Sequence, residues 1–515
     1  MIIVDQNTPL RNKSDDAQSP QAEPIAPPPA YPGYQSTSQV QTPMIASYSV
    51  HPPRETAARR FTKAFLVALL IWTLVGIFTR SAVELMSHRH THWVSRRFIT
   101  QDGDDEDWNG WPVTPAPVTL EGDERIKTCV YGEDWTPIEG PPPHTGYGDG
   151  YWANSKFELP FTSDVLFFVA RGALAAGDLQ VVESEDVDDV KVNVDVFYYT
   201  RTALSRTRVC SLRRGDGKDG LGIFTPLRWK FPSRSSRRRD ILQFVVTVTL
   251  PSGGPKPFIS AFETSLHLFK HTFKDLSPIE FGSVSLRTSN MPMYFDVSIF
   301  SIVARHVDAR SSNGPIIGEF NTSSHLELRT SNSPIKVVVG ALHDTKERPT
   351  DVVLSTTNGH VQRLLTNTGK ANPLLSSAIS AILSLFSTAS DEAGGAFNVA
   401  ARSTNSPVEV VTVDSPADSI LHLAISTTNS PVRATLHPAY EGTFVLSTTN
   451  FIPIVKQDEG VEDPTGRGRE RNVQVKSVRN RVLNGEVTWI PSEHEGGTAG
   501  SVSLRTTNSP AVLTL

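Results

Sequence analysis

Hydrophobic and polar residues alternate along much of the chain after residue 116, which predicts β-strands. The clearest segments are 190–199 (VKVNVDVFYY) and 241–251 (ILQFVVTVTLP), and shorter apolar runs begin at Phe157 and Asp164. Because successive side chains of a strand point to opposite faces, each segment has one apolar face. Their β-branched and aromatic residues favour the same structure. We therefore expect a β-rich region over 116–280.

One strand–corner–strand pattern then recurs over 281–515. Examples are SVSLRTSNMP, LELRTSNSPIKV, LAISTTNSPVRA and VSLRTTNSPAVLTL. Six of the eight intervals between the corner asparagines are 19–26 residues long, a period typical of solenoid repeats. The predicted corner residues, of which Asn484 lies in a degraded copy, are Asn290, Asn313, Asn332, Asn358, Asn405, Asn429, Asn450, Asn484 and Asn508.

The corner sequence has a physical basis. Asparagine tolerates the left-handed conformation, and proline pushes the residue before it toward extended geometry. Stacked rungs would place the amides above one another, so that they form a ladder. We expect a mainly β protein whose repeats form a parallel β-solenoid. The alternative is an antiparallel sandwich of hairpins, although Asn-Ser-Pro is not the Asn-Gly pair that tight hairpins favour.

Residues 373–388 (PLLSSAISAILSLFST) interrupt the repeat. Their apolar residues recur at three- and four-residue spacing, with serines on the other face, which predicts a helix packed on the side of the solenoid. The segment is too short and too rich in serine to be expected to cross a membrane.

The first 115 residues have a different character. Residues 1–60 contain ten prolines, and we expect a disordered tail. Residues 61–83 include the uncharged run AFLVALLIWTLVGIFT, which predicts a single transmembrane signal-anchor helix with the lipid bilayer as its partner. Residues 84–115 are the expected juxtamembrane stalk, where HRHTH is more typical of a solvated basic stretch than of a metal site.

Four basic residues flank the predicted span on each side, so charge does not fix its orientation. We expect the C-terminal part to be extracellular or luminal, because it is β-rich and holds both cysteines, Cys129 and Cys210. In an oxidising compartment the two would form a disulfide, whereas in the cytosol they would be buried thiols. If the C-terminal part is extracellular or luminal, Asn321, in the sequence Asn-Thr-Ser, is the predicted glycosylation acceptor.

Composition and charge exclude several functions. The net charge is −5, with no basic field that would favour nucleic acid. Two cysteines exclude a cysteine-based zinc cluster. Carboxylates show no recurrence at one position of neighbouring rungs, so we predict no catalytic, metal-binding or cofactor-binding residues.

The TTNSP and TSNSP units, together with the FVVTVTLP strand and the apolar span, resemble an uncharacterised fungal family of membrane proteins and the adhesin-like β-solenoids of bacteria. The resemblance covers about residues 120–515 and implies architecture rather than a reaction. We expect a membrane-anchored binding or structural module, with a glycan or a protein as ligand. The alternative is a membrane-anchored, carbohydrate-active β-helix enzyme. The last rung, around Asn508, shows no polar cap, so we also expect a homo-oligomer through that end.

Overall fold

The computed structural model describes residues 116–515, except 141–142, 145–149, 227–241, 255–256, 297–301, 344–347, 360–378, 388–393, 459 and 491–499. The described residues are mainly β, with one α-helical turn, α1 (Arg201–Ser205). The predicted tail, anchor and stalk lie outside them. Within the described part, no helix is long and apolar enough to span a bilayer.

The strands, in chain order, are β1 (Glu124–Tyr131), β2 (Thr136–Pro137), β3 (Tyr151–Leu159), β4 (Val165–Arg171), β5 (Ala176–Ser184), β6 (Val190–Tyr198), β7 (Arg208–Arg214), β8 (Lys218–Phe224), β9 (Leu242–Pro251), β10 (Phe258–Ser265), β11 (Leu268–Phe273), β12 (Glu280–Arg287), β13 (Met293–Phe295), β14 (Val303–Arg310), β15 (Ile316–Arg329), β16 (Ile335–His343), β17 (Thr350–Ser355), β18 (Ile379–Ser387), β19 (Ala396–Arg402), β20 (Val408–Asp414), β21 (Ile420–Ser426), β22 (Val432–Thr435), β23 (Gly442–Ser447), β24 (Ile454–Lys456), β25 (Glu470–Arg479), β26 (Val482–Ile490), β27 (Gly500–Arg505) and β28 (Ala511–Thr514).

The repeat strands form two parallel ladders, joined at every rung after β10–β11 by an asparagine corner. The first ladder runs β10–β12–β14–β15–β17–β19–β21–β27–β23. The second ladder runs β11–β13–β15–β16–β18–β20–β22–β28–β24. The long strand β15 belongs to both. Parallel stacking of the rungs therefore replaces the hairpin pairing of the alternative prediction.

The ladders continue through the predicted boundary at residue 280. Strand β10 pairs in parallel with β4, which pairs with β8, while β11 pairs with β5, which pairs with β9. Antiparallel strands then complete this end, with β7 and β1 beside β8, and β6, β3 and β2 beside β9. The early β-rich region thus shares its sheets with the repeat.

Inward-facing side chains of both ladders form one buried cluster that spans both regions. Aromatic rings stack from rung to rung within it: Phe273 and Phe295 have ring centroids 4.9 Å apart, and Phe295 and Phe320 are 4.4 Å apart. The three rings are almost completely buried. Removing such side chains from water is the main favourable contribution to folding.

The predicted helix over 373–388 is wrong in its described part, which is strand β18. Its residues pair in register with β16 on one side and β20 on the other, as in Ile335–Ile379–Val408. Leu383 is buried in the shared core. Hydrogen bonding on both edges outweighs the helical spacing, because an open position between two parallel strands would leave two rows of backbone groups unpaired.

The rungs near the end of the chain are not stacked in chain order. Strand β27 lies between β21 and β23, and β28 lies between β22 and β24. The rung formed by β27 and β28 is therefore interior, and the expectation of an uncapped last rung is wrong. Strand β23 is instead followed by antiparallel β26 and β25, which cover that end of the first ladder.

Candidate functional site

Eight of the nine predicted corner asparagines form a hydrogen-bonded column on the surface. From one rung to the next, an amide Nδ2 donates to the Oδ1 of the neighbouring asparagine: Asn313 to Asn290 (2.6 Å), Asn332 to Asn313 (2.8 Å), Asn358 to Asn332 (3.1 Å), Asn405 to Asn358 (2.6 Å), Asn429 to Asn405 (2.7 Å), Asn508 to Asn429 (2.8 Å) and Asn450 to Asn508 (2.9 Å). We call these eight residues the corner column. All donate in one direction, so the column is polar from end to end.

Asn484 does not belong to the corner column. It lies inside β26, where it pairs in antiparallel register with Val445 of β23 and Ser477 of β25. The segment around it lacks the Thr-Asn-Ser-Pro sequence and forms the end cap instead of a rung. The prediction of a corner at this position is therefore wrong.

Hydroxyl groups beside the corner asparagines hold the corners. Thr356 lies two residues before Asn358 and is buried, and its Oγ1 donates to the carbonyl of Ser333 in the preceding rung (3.1 Å). Ser430 follows Asn429, and its Oγ donates to the carbonyl of Asn405 (2.8 Å). Such side-chain bonds to backbone carbonyls satisfy groups that the turn leaves unpaired.

The corners do not use the left-handed conformation that the sequence predicts. Among the described residues, the non-glycine positions with positive φ are Asp418, Asn480 and Arg481, none of which is in the corner column. Asparagine is thus required at the corners by the bonds between its amides. An amide suits this role because it both donates and accepts along the stack.

Arginines form a second column beside the corner column, at the carboxyl end of the first ladder. In stacking order the column contains Ser265, Arg287, Arg310, Arg329, Ser355, Arg402, Ser426, Arg505 and Ser447. We call it the arginine column. From Arg287 onward, each member lies three residues before its corner asparagine, so a fixed offset in the sequence marks this surface.

The charge of the arginine column changes along the stack. Arg310 pairs with Asp308 (2.7 Å) and with Glu327 (3.0 Å), and Glu327 also pairs with Arg329. These bonds raise the pKa of Arg310, with the hydrogen bond to Asp308 as the largest cause. Asp308 and Glu327 share one rung position, so the expectation that no carboxylate recurs at a fixed position is wrong. Their role here is to neutralise arginine.

Farther along, Arg402 and Arg505 are exposed and have no ion pair with any described residue. Ser426 lies between them, so they are two strand spacings apart, about 9.6 Å at 4.8 Å per strand. The outward column next to them is small or apolar and contains Val353, Ala400, Ala424, Ser503 and Val445. This part of the surface is therefore flat and carries positive charge that no described residue balances.

We call the corner column, the arginine column and the exposed Ser or Thr before each corner asparagine the corner face. At its cationic end the hydroxyl residues are Thr404, Thr428 and Thr507. These groups supply hydrogen-bond donors and acceptors at the spacing of the strands, together with two positive charges. The chemistry fits an extended, polar, anionic ligand.

The structure places a disulfide between Cys129 and Cys210, with an S–S distance of 2.07 Å. The two residues are direct partners in the antiparallel pair of β1 and β7. Asn321, the predicted glycosylation acceptor, lies inside β15 and is only 4% exposed. Modification at that position requires access before the strand is buried.

Charged residues near β1 are internal to the fold. Glu124 has a completely buried side chain, and it pairs with Arg171 (2.7 Å) and Arg214 (3.0 Å). Burial alone would raise the pKa of Glu124, but hydrogen bonds from Arg171, the Glu121 backbone and Arg214 outweigh it and hold that pKa below its usual value. Arg214 is therefore engaged in the fold, which argues against an adhesive role for the Arg-Gly-Asp sequence that it begins.

No group of three or more histidine, cysteine, aspartate or glutamate side chains could hold a metal ion in the part of the chain that the structure describes. His306 and His325 stack on the first ladder with ring centroids 4.8 Å apart. Burial, and then the charge of His325, lower the pKa of His306. Ser283 and Asp351 flank the two rings at the same rung position. Among the described residues, no hydrogen bond joins either ring to these two side chains, so the row does not form the hydrogen-bonded relay of a nucleophile and a base.

Comparison with known proteins gives no family. No family model and no curated protein matches the chain. Solved structures similar to it include a putative cell adhesion protein from Clostridium sporogenes (8% identity, 70% of this chain and 99% of that chain, TM-score 0.15). Two others are putative adhesins from Parabacteroides distasonis (9%, 72% and 98%, 0.23) and Bacteroides fragilis (7%, 73% and 100%, 0.23). At such TM-scores these likenesses carry no argument about function.

Proposed function

We propose that the protein is a non-catalytic surface-binding module, a parallel β-solenoid whose corner face binds an extended anionic glycan. The carrying observation is that Arg402 and Arg505, which no described residue neutralises, lie beside a continuous row of amides and hydroxyls. An anionic polymer can follow such a row and meet a positive charge at two strand spacings. A protein with an acidic, extended segment is the other ligand that this chemistry fits.

We further propose that residues 61–83 anchor the chain in a membrane as a single-pass signal-anchor and that the solenoid lies on the extracellular or luminal side. The disulfide between Cys129 and Cys210 supports this orientation, because such bonds persist in oxidising compartments. This orientation is tested by adding a glycosylation sequence to an exposed loop of the solenoid. A mass that falls on glycosidase treatment supports the orientation, and a site that is never modified contradicts it.

The binding proposal is tested with the full chain and three immobilised polysaccharides: heparin, polygalacturonate and neutral dextran. Replacing both Arg402 and Arg505 by glutamine should weaken binding to the anionic polymers about tenfold, since two exposed charge pairs contribute about 0.2–1 kcal/mol each and the polymer offers repeated contacts. Raising the salt concentration should weaken binding in the same way.

The matched control replaces Arg310 and Arg329 by glutamine. These residues occupy the same column, but their charges are already balanced by Asp308 and Glu327. The proposal is contradicted if both double variants lose the same amount of binding. It is also contradicted if the unmodified chain binds neutral dextran as well as it binds the anionic polymers. Release of reducing ends from any of the three polymers would favour the alternative of a carbohydrate-active enzyme.

A further inference from the structure

The rung formed by β27 and β28 fills a gap that the earlier part of the chain leaves open. Strands β21 and β23 pair with β27 but not with each other, and β22 and β24 pair with β28 but not with each other. We call this rung the inserted rung, and the space between its neighbours the slot. The strands that form both walls of the slot therefore precede, in the sequence, the residues that fill it.

Backbone hydrogen bonds join the inserted rung to both walls. Thr427 N donates to the carbonyl of Arg505 (2.9 Å), and Thr506 N donates to the carbonyl of Ser447 (3.0 Å). In the second strand, Val432 N donates to the carbonyl of Pro510 (3.1 Å). If the slot were empty, these strand edges would lose their partners on both walls.

Side chains also link the inserted rung to the rungs on both sides. Asn508 is the link of the corner column between Asn429 (2.8 Å) and Asn450 (2.9 Å). Val502, Leu504, Ala511 and Leu513 complete the buried core at this height. The slot is thus shaped for a strand–corner–strand unit with the Thr-Thr-Asn-Ser-Pro sequence.

From this topology we propose that the slot accepts the inserted rung of a second copy of the chain, so that two copies exchange rungs and form a reciprocal dimer. The second copy is the specific occupant, because its rung has the same register, corner and apolar residues as the one already seen in the slot. Every hydrogen bond described above is kept in the exchanged form, so its formation requires no new contact.

Exchange has a consequence for the corner face. Arg505 and Asn508 both belong to the inserted rung. In the dimer each corner face would therefore contain an arginine and an asparagine of the partner copy. Intramolecular insertion competes at an effective concentration of roughly millimolar, so exchange should increase with protein concentration and with confinement on a membrane. The proposal does not depend on the identity of the ligand.

The test uses full-length variants that each carry one added cysteine beside the Cys129–Cys210 disulfide. Ala424 and Ser503 face each other in register across β21 and β27, at a strand spacing that a disulfide can bridge. Ala424→Cys and Ser503→Cys are purified separately, mixed, unfolded in urea without reductant, refolded at several concentrations and oxidised. Cross-linking between copies requires that the rung of one copy enter the slot of the other.

We expect a cross-linked dimer on a non-reducing gel, at twice the 56.4 kDa of the chain, whose fraction rises with protein concentration. The control mixes Ala424→Cys with Ser283→Cys, which lies on the same ladder away from the slot. A double variant, Ala424→Cys/Ser503→Cys, should form the disulfide within one copy at low concentration. Failure of the double variant to cross-link contradicts the slot itself, and a mixed sample that gives no more dimer than the control contradicts the exchange.

Discussion

Replacement of Asn405 by alanine tests whether the corner column stabilises the stack. Asn405 donates to Asn358 (2.6 Å) and accepts from Asn429 (2.7 Å), so alanine removes two hydrogen bonds. The freed partners are exposed and can bond to water, so each loss costs about 0.5–1 kcal/mol, near the lower end of the usual range. We expect the free energy of unfolding to fall by about 1–2 kcal/mol. Asn290→Ala is the matched control, because Asn290 ends the column and makes one such bond; its cost should be half as large.

Urea denaturation followed by circular dichroism measures both variants, with the midpoint interpreted at an unchanged slope. A third variant, Asn405→Asp, keeps the accepted bond but faces the Oδ1 of Asn358 with an oxygen in place of a donor. It should be less stable than Asn405→Ala near pH 7. Protonation restores a donor, so its deficit should shrink below about pH 4, near the ordinary pKa of aspartate. Equal costs at Asn405 and Asn290, or no cost at either, would refute the reasoning.

Three further predictions concern the rest of the molecule. Replacing Cys129 and Cys210 by serine opens a loop with a sequence separation of 81 and should lower the free energy of unfolding by about 4 kcal/mol in urea titrations; a loss below 1 kcal/mol would contradict this. His271 is fully buried, and burial lowers its pKa from 6.5 to about 4. Since the folded state binds the proton less readily than the unfolded state, stability is complete above pH 6.5 and should fall by about 3 kcal/mol as the pH falls to 4; thermal melts of His271→Asn should lack this component, and an unchanged pH dependence would argue against it. Gly442 has φ +146°, and a Cβ there would lie 2.1 Å from the backbone of the inserted rung, whereas Gly460 (φ +74°) has nothing within 4 Å. Gly442→Ala should therefore be less stable than Gly460→Ala by more than 1 kcal/mol, and equal melting temperatures would count against the close approach.

The sequence predicts the rungs because their chemistry repeats. Two Ser or Thr residues followed by asparagine mark all eight corners of the column, and the alternation before each one predicts the inward side chains of the first ladder. Arg287, Arg329 and Arg402 could be placed on exposed strand faces from alternation alone. Their common column with Arg310 and Arg505 follows from an equally simple signal, the offset of three residues from the corner asparagine.

Other features depend on contacts that lie far apart in the sequence. The spacing of apolar residues in Ile379–Ser387 is compatible with a helix, and only the strands on both sides decide for β18. The order of the last rungs cannot be obtained from the repeat, because a rung after Asn429 and a rung after Asn450 look the same locally. Only the pairing of β27 with both β21 and β23 reveals it.

The disulfide also bears on how the molecule would carry a mechanical load. Strand β1 is the first strand described after the predicted anchor and stalk, and among the described strands only β7 pairs with its backbone. Tension that arrives from the N-terminal side would peel β1 from β7 one hydrogen-bonded pair at a time, starting at Glu124. Peeling would stop at the covalent bond between Cys129 and Cys210, so that further force is passed through β7 into the stacked sheets.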